Sequence, residues 1–292
     1  MAKQTIWFVI NPIAGGKNKN HIPSTIHKYL NMQLYDAHIL TSQSAEHTLQ
    51  LAKKAVEEKV AILVAVGGDG TINNIAKFTK NSQTKLAIIP LGSGNGFARE
   101  LKLYGSTQRA IQIINQGKSI RVDSGNINDE FFVNLCGIGF DAHVGSLFAG
   151  SVKRGLRSYL SIIWKELLNF KPERVHIQTD TKRVESTVFM VSICNGPQFG
   201  NNAFIAPNAT LTDGLFDITI IEQFPAWKIP FIAGCMLLKK INWVKEIKQL
   251  KAQSIQLQRV KPGFVNIDGE PVWMQAELNI GMYAKSIAVL TP

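Results

Sequence analysis

The stretch VAVGGDGTINNIAK, Val64 to Lys77, decides how this chain is read. An apolar run stops at three glycines set around one aspartate, and helix-compatible sequence resumes at once. That is the pattern of a strand whose carboxyl end turns straight into a helix. Glycine clears side chains from a place where something approaches the backbone closely, and amide groups at a helix start attract anions. A carboxylate beside a phosphate is repulsive unless a cation intervenes, and Mg²⁺ is the usual bridging ion. Asp69 therefore points to a nucleotide–metal site. Capping of the following helix is the alternative, and the two are compatible.

Outward from this stretch, TIWFVI, DAHIL, VAILVAV and KLAIIPL read as strands. Helical stretches separate them, such as SAEHTLQLAKKAVEEK, where Leu49, Ala52 and Val56 recur at helical spacing. This alternation predicts a mainly parallel sheet with helices on both faces and ligands beyond the carboxyl ends of its strands. Two more glycine turns follow strand ends: NPIAGG, Asn11 to Gly16, and GSGNGFAR, Gly92 to Arg99. Either alone is an ordinary turn. Three on one sheet edge make a site for a polyphosphate.

STQRAIQIINQG reads as one more helix, with Ser106 as its N-cap. From Ser119 the period changes, and SIRVDSGNI, EFFVNLCGI, RVHIQTD, ESTVFMVSIC, LFDITII and SIQLQRV read as strands. NDE between the first two is a hairpin turn. The change predicts two domains, 1–121 and a largely antiparallel, β-rich 122–282, with residues 283–292 free to return to the first. Two helical interruptions, Val152 to Phe170 and Ala226 to Lys251, mix aromatic and basic residues.

With 45% hydrophobic and 18% charged residues, the 292-residue chain is a folded protein. Its net charge of +11 calls for a negatively charged partner: phosphates, nucleic acid or an anionic membrane. Cys136, Cys194 and Cys235 lack CxxC spacing, which argues against a disulfide framework or zinc site and fits buried thiols in a reducing cytosol. The N-terminal apolar run is too short for a signal peptide. No stretch approaches the roughly 20 apolar residues of a membrane span; the longest candidate, PFIAGCMLL, ends at Lys239 and Lys240.

These motifs, in this order, resemble the diacylglycerol kinase/sphingosine kinase catalytic family, in particular its soluble bacterial lipid kinases, over almost the whole chain. NAD kinases share GGDGT, but NPIAGG with GSGNGFAR favours the lipid kinases. The resemblance implies a diacylglycerol kinase-like α/β domain, a β-rich second domain and a nucleotide cleft between them. It implies ATP and Mg²⁺ as cofactors, with ATP held by Gly67, Gly68, Asp69, Gly70 and Thr71 and by Gly92, Ser93, Gly94 and Asn95. Asn11, Thr41 and Glu270 join that set.

By its residues alone, VNIDGEPVW is a hairpin turn. The resemblance makes Asp268 the general base and sets Glu270 near metal or nucleotide, alongside Asp69. Asp123 would join the active-site hydrogen-bond network. Arg99 would stabilise the transferring phosphate or pair with Asp123, the ion pair being preferred. Lys17 is a phosphate-facing cation, or Lys17 and Lys19 are simply solvated. In ATLTDGLFDI the resemblance implies a structural Mg²⁺ on Thr210, Asp213 and the Leu215 carbonyl, against a plain turn. The chain departs from the family pattern at Gly96, where aspartate is common, and at Asn74, where glutamate is frequent. His143 falls near the acidic residue that meets a sphingoid amine, which argues against a sphingoid substrate.

The expected function is an ATP-dependent lipid kinase acting on diacylglycerol or a related membrane lipid. A kinase of a soluble acceptor such as NAD, or a non-catalytic nucleotide or lipid sensor, is the alternative. Residues 151–174, with Lys153, Arg154, Arg157 and Trp164, and the segment around Trp227, Lys239, Lys240, Trp243 and Lys245 have the composition of interfacial helices. For the first of these, a split is expected: part of the apolar face in the core and the basic end towards phosphates. The expected setting is cytoplasmic and peripheral to an anionic membrane. A homodimer stays open, and no nucleic-acid motif is present.

Overall fold

The computed structural model describes residues 2–16, 19–92, 94–151 and 156–292, without the side chains of 156–158. The expectations placed on Lys17, Ser93, Lys153, Arg154 and the Arg157 side chain lie outside the described residues. The chain forms two units, Met1–Val122 with Lys285–Pro292, and Asp123–Ala284.

In unit 1, strands and helices alternate: β1 (Gln4–Ile10), α1 (His21–Tyr29), β2 (Tyr35–Thr41), α2 (Ala45–Glu57), β3 (Ile62–Gly67), α3 (Asp69–Thr79), β4 (Lys85–Pro90), α4 (Gly96–Glu100) and α5 (Thr107–Gln116). The parallel sheet runs β2-β1-β3-β4, and the carboxyl-terminal strand adds to it beside β4 at Val289. The order reverses between β1 and β3, where a parallel sheet opens a crevice at its carboxyl ends.

Ile6, Phe8, Ile10, Val64 and Val66 pack with Ile22 and Ile26 of α1 and Ala110, Ile111 and Ile114 of α5. The alternate residues Trp7, Val9, Leu63 and Ala65 are also buried, on the face met by α2 and α3. Burial on both faces is why these strands read as unbroken apolar runs. Ser106 caps α5 by accepting from Arg109 N, and Gly117 closes that helix in the left-handed region.

The chain enters unit 2 within β5 (Ser119–Ile127) and continues through β6 (Glu130–Phe132), β7 (Leu135–Gly139), α6 (Phe140–Ala149), α7 (Leu156–Glu166), β8 (Glu173–Thr179) and β9 (Arg183–Cys194). There follow β10 (Phe216–Glu222), α8 (Ile229–Leu237), β11 (Ile247–Ala252), β12 (Ser254–Arg259), β13 (Gly263–Ile267), β14 (Glu270–Met274) and β15 (Glu277–Leu290). Within unit 2 the order is β14-β13-β7-β9-β8-β12-β15, with β10 along β9 and β11 along β10. The pairings are antiparallel. Phe132 and Phe216 stack in the core with ring centres 5.3 Å apart. β12 alternates strictly, pointing Ile255, Leu257 and Arg259 inward.

The NDE turn is the hairpin expected, with Ile127 opposite Glu130. Three features depart from the sequence reading. EFFVNLCGI, expected as one strand, splits into β6 and β7, because the N–H groups of Val133, Asn134 and Leu135 turn to the Asp268 carboxylate. The segment from Ala226 to Lys251, expected to be helical, holds α8 and two short 3-10 turns, Ala226–Lys228 and Ile241–Trp243, before β11 pairs with β10. IKQLKA has a helix-forming composition, and the open edge of β10 overrides it. Finally, α6 carries no strong helical signal and was not expected.

Candidate functional site

The three glycine turns of unit 1 converge at the carboxyl ends of adjacent strands. The backbone ladder runs past the strand ends: Asn11 N donates to Val66 O at 3.0 Å and Leu91 N to Gly67 O at 2.7 Å. Side chains complete the links. Asn11 Nδ2 donates to Thr71 Oγ1 at 3.0 Å, joining the first turn to the second. Asn95 N donates to Asp69 Oδ2 at 2.9 Å, joining the third to the second. Gly15, at φ 66°, lies so close to the Leu91 carbonyl that a Cβ there would sit 1.8 Å from its oxygen. A Cβ on Gly92 would sit 2.8 Å from Gly68 Cα. These glycines are therefore required first by turn packing on turn, before any ligand.

Asp69 is the first residue of α3, behind Gly68 at the N-cap. Its Oδ2 goes to Asn95 N rather than to its own helix, so the capping alternative gives way to a tie between loops. Gly70 follows it in α3. Asn95 sits at φ 51° and donates from Nδ2 to Gly92 O, while its buried Oδ1 has no partner. That orphaned acceptor and the bare main chain around it fit a nucleotide bearing N–H groups. Arg99 Nε donates to Gly94 O at 2.9 Å, which holds the third turn. Thr41 ends β2 opposite Ile10 and is exposed. Lys19, expected to be solvated, is instead 8% exposed and donates to the Pro12 carbonyl at 2.8 Å; burial lowers its pKa.

In unit 2, DGE forms the tip of the β13–β14 hairpin, with Ile267 opposite Glu270. Asp268 and Gly269 are the two turn residues, at φ 48° and 95°, the conformation in which Asp-Gly is favoured. Asp268 is buried, and its carboxylate accepts three backbone N–H groups. Val133 N reaches Oδ2 at 2.8 Å, and Asn134 N and Leu135 N each reach Oδ1 at 2.9 Å. This corrects the expectation of Asp268 as general base: its acceptor sites are committed to the β6–β7 break. Glu270, two residues on, is exposed.

Asp123 is fully buried. Its Oδ2 accepts from Gly214 N at 2.7 Å and its N donates to Leu211 O at 2.7 Å, so it folds the acidic turn. The expected cation set of Thr210, Asp213 and Leu215 does not fit a metal as placed. Asp213 Oδ1 accepts from Leu215 N, and Oδ2 lies 2.9 Å from Lys251 Nζ, which also reaches Asp217 Oδ2 at 3.2 Å. Burial opposes the Lys251 charge, but the two aspartates outweigh it and raise its pKa. Burial pushes the Asp217 carboxyl up against the same bond; the two Nζ distances carry the pairing.

The Lys251 ammonium thus stands where a metal was expected. EDTA or added Mg²⁺ should leave the melting temperature within about 1 °C, while Lys251→Met lowers it by several degrees and restores a response to Mg²⁺. A fall of several degrees for the unaltered protein in EDTA would reverse this assignment.

Sequence reading missed four residues here. Arg259 is buried and donates to the carbonyls of Gly263, Phe264, Met274 and Gln275 at the base of the hairpin. Asn266 and Asp141 meet behind its tip at 3.1 Å. Glu166 pairs with His143 at 2.8 Å. Asn266 lay within the quoted motif, and an amide three residues before Gly269 signals a side-chain turn. Arg259 at an inward strand position gave no signal separable from a strand end.

The family model described as the diacylglycerol kinase catalytic domain matches residues 5–127, and the YegS C-terminal NAD kinase beta sandwich-like domain matches residues 134–287. A Shewanella frigidimarina protein named "Probable lipid kinase YegS-like" is 28% identical over 270 residues, 90% of this chain and 87% of that one. A Staphylococcus aureus diacylglycerol kinase is 27% identical over 271 residues, 90% of this chain and 84% of its own. A Bacillus anthracis diacylglycerol kinase crystal structure matches with a TM-score of 0.76 at 21% identity, covering 99% of this chain and 97% of that one. At that identity the likeness is one of fold.

Proposed function

The chain belongs to the diacylglycerol kinase catalytic family with a YegS-type C-terminal domain, and on that premise we propose that it transfers the γ-phosphate of ATP to a hydroxyl of diacylglycerol or a related membrane lipid. The observation that carries this reading is the locking of three strand-end turns into one main-chain cradle at the β1/β3 reversal. Asn11, Thr41, Gly67–Thr71 and Gly92–Asn95 are assigned to the nucleotide. Mg²⁺, when bound, neutralises charge on the phosphates; Asp69 is the carboxylate assigned to it. Arg99 keeps the third turn in shape through Gly94.

The acceptor hydroxyl must lose a proton as it attacks phosphorus. Of the two hairpin carboxylates, Glu270 has the free acceptor oxygens, so we assign it the proton. Asp268 fixes the hairpin to β6 and β7, and Asp123 shapes the turn at Gly214.

The same unit supports a bilayer-facing role. On α7 and the turn after it, Tyr159, Ile162, Ile163 and Leu167 pack on the core, while Leu160, Trp164 and Leu168, spaced by four, stand exposed. On and around α8, Trp227, Phe231, Leu237, Leu238 and Trp243 are exposed as well. Lys239 and Lys240 lie over the rings of Phe204 and Trp243, with no carboxylate partner among the described residues. Lys228 is spent on Glu246. Exposed indoles beside unpaired lysines suit the interface of an anionic membrane. No described helix is long and apolar enough to cross a membrane, so the proposed attachment is peripheral, at a cytoplasmic face.

The test is an acceptor screen: labelled ATP and Mg²⁺ with vesicles of total lipid extract, with and without added anionic lipid, and NAD in parallel. The expected result is label in the organic phase, increased by anionic lipid. Label on NAD alone would remove the lipid assignment. Tight ATP binding without transfer to any acceptor would make the protein a sensor.

A further inference from the structure

Asp141 is a buried charge that the reading so far leaves unused. It is the second residue of α6 and 8% exposed. Burial pushes its carboxyl up to about 6, against the favourable bond from Asn266 and the nearby N–H groups of Asp141 and Ala142. The titratable groups facing it are Cys136 on β7, Cys194 on β9 and Tyr159 on α7; Asp268 faces Cys136 from the turn. A buried, ionised carboxylate works against folding. Its presence calls for a use.

That use is visible in the bonds of Asn266. Gly269 N donates to Asn266 Oδ1 at 2.9 Å. A backbone N–H can only donate, so the amide oxygen must face Gly269 and the amide nitrogen must face Asp141. Asn266 Nδ2 indeed donates to Asp141 Oδ2 at 3.1 Å. The amide cannot turn round without breaking both bonds. We propose that Asp141 is a positioning residue for phosphoryl transfer: through Asn266 it locks the Asp268–Gly269 turn and so fixes where Glu270 is presented. This rests on the lipid kinase reading with Glu270 as proton acceptor.

The position requires a carboxylate because acceptors are needed on two sides. Oδ2 serves Asn266. Oδ1 is buried without a good hydrogen bond and lies at the start of α6, where only N–H groups are on offer. Asparagine at 141 would set its NH₂ against one of these donors. Protonation also removes one acceptor side, so turnover should fall as pH drops through about 6.

The test uses four full-length proteins: wild type, Asp141→Asn, Asn266→Asp and the double variant. Each single change is expected to lower kcat about tenfold or more, with KM for ATP within about threefold. Asp141→Asn mimics the protonated state and should lose the step near pH 6. The double variant exchanges donor and acceptor: the new amide at 141 donates to the new carboxylate at 266, whose other oxygen still accepts from Gly269. It should recover kcat to within about threefold of wild type. A double variant no better than the poorer single, or Asp141→Asn with wild-type kcat, would overturn the proposal.

Amide exchange at Gly269 in the same proteins gives a readout independent of catalysis. It should be faster in both singles and slow again in the double, and an unchanged rate in the singles would overturn the lock. A wild type that phosphorylates no lipid while this exchange pattern holds would defeat the kinase reading alone.

Discussion

Glu270→Gln is expected to lower kcat for lipid phosphorylation by about 10²–10⁴, the range of a lost general base, with an unchanged melting temperature. Glu270 is exposed and its side chain bonds no described residue, so its amide costs the fold nothing. Asp268→Asn should behave in the opposite sense. Its two oxygens accept three N–H groups in a buried site, and an amide leaves at least one donor facing NH₂. Each unsatisfied buried group costs about 1–3 kcal/mol, so a loss of about 2–5 kcal/mol follows, read as a clear drop in denaturation midpoint. If Asp268→Asn kept full stability and lost only turnover, the two roles would have to be exchanged.

Arg259→Lys is expected to cost about 2–4 kcal/mol. The guanidinium reaches four carbonyls, Gly263 and Met274 at 2.7 and 2.8 Å, Phe264 and Gln275 at 3.1 Å. Burial lowers its pKa, with Glu173 opposing, yet an arginine stays charged. A lysine ammonium is a point donor that cannot span both strands of the hairpin base, so at least two carbonyls lose their partner. The measurement is a urea titration: a lower midpoint at unchanged slope. A midpoint equal to wild type would mean that the hairpin base is held by something other than this side chain.

How much of this was legible from sequence depends on the range of the interaction. The parallel sheet was, because burial on both faces writes unbroken apolar runs such as Ile62–Gly67. The three glycine turns were, because each follows a strand end, and their convergence follows from the order of β1, β3 and β4. What the glycines are for was legible only in part. Their packing on one another, Gly15 on Leu91 and Gly68 on Gly92, joins residues far apart in the chain. The hairpin at DGE was clear as a turn, but which carboxylate is free depends on main-chain donors 134 and 135 positions earlier. The same distance hid the β6–β7 break, since Val133 and Asn134 look like strand residues until Asp268 draws their amides aside. Lys251 defeated the cation expectation similarly: nothing in IKQLKA says that its last lysine will lie on Asp213.

Of the five tryptophans, only Trp7 is buried, at 7% exposure, and it belongs to unit 1; Trp164, Trp227, Trp243 and Trp273, all in unit 2, are between 61% and 75% exposed. Most of the intrinsic fluorescence therefore comes from indoles already in water, and folded and unfolded chains will emit at similar wavelengths. Three of the four lie on the α7 and α8 segments assigned to the bilayer, so the emission colour of this protein is a gauge of what its surface is wetted by rather than of whether its core is intact.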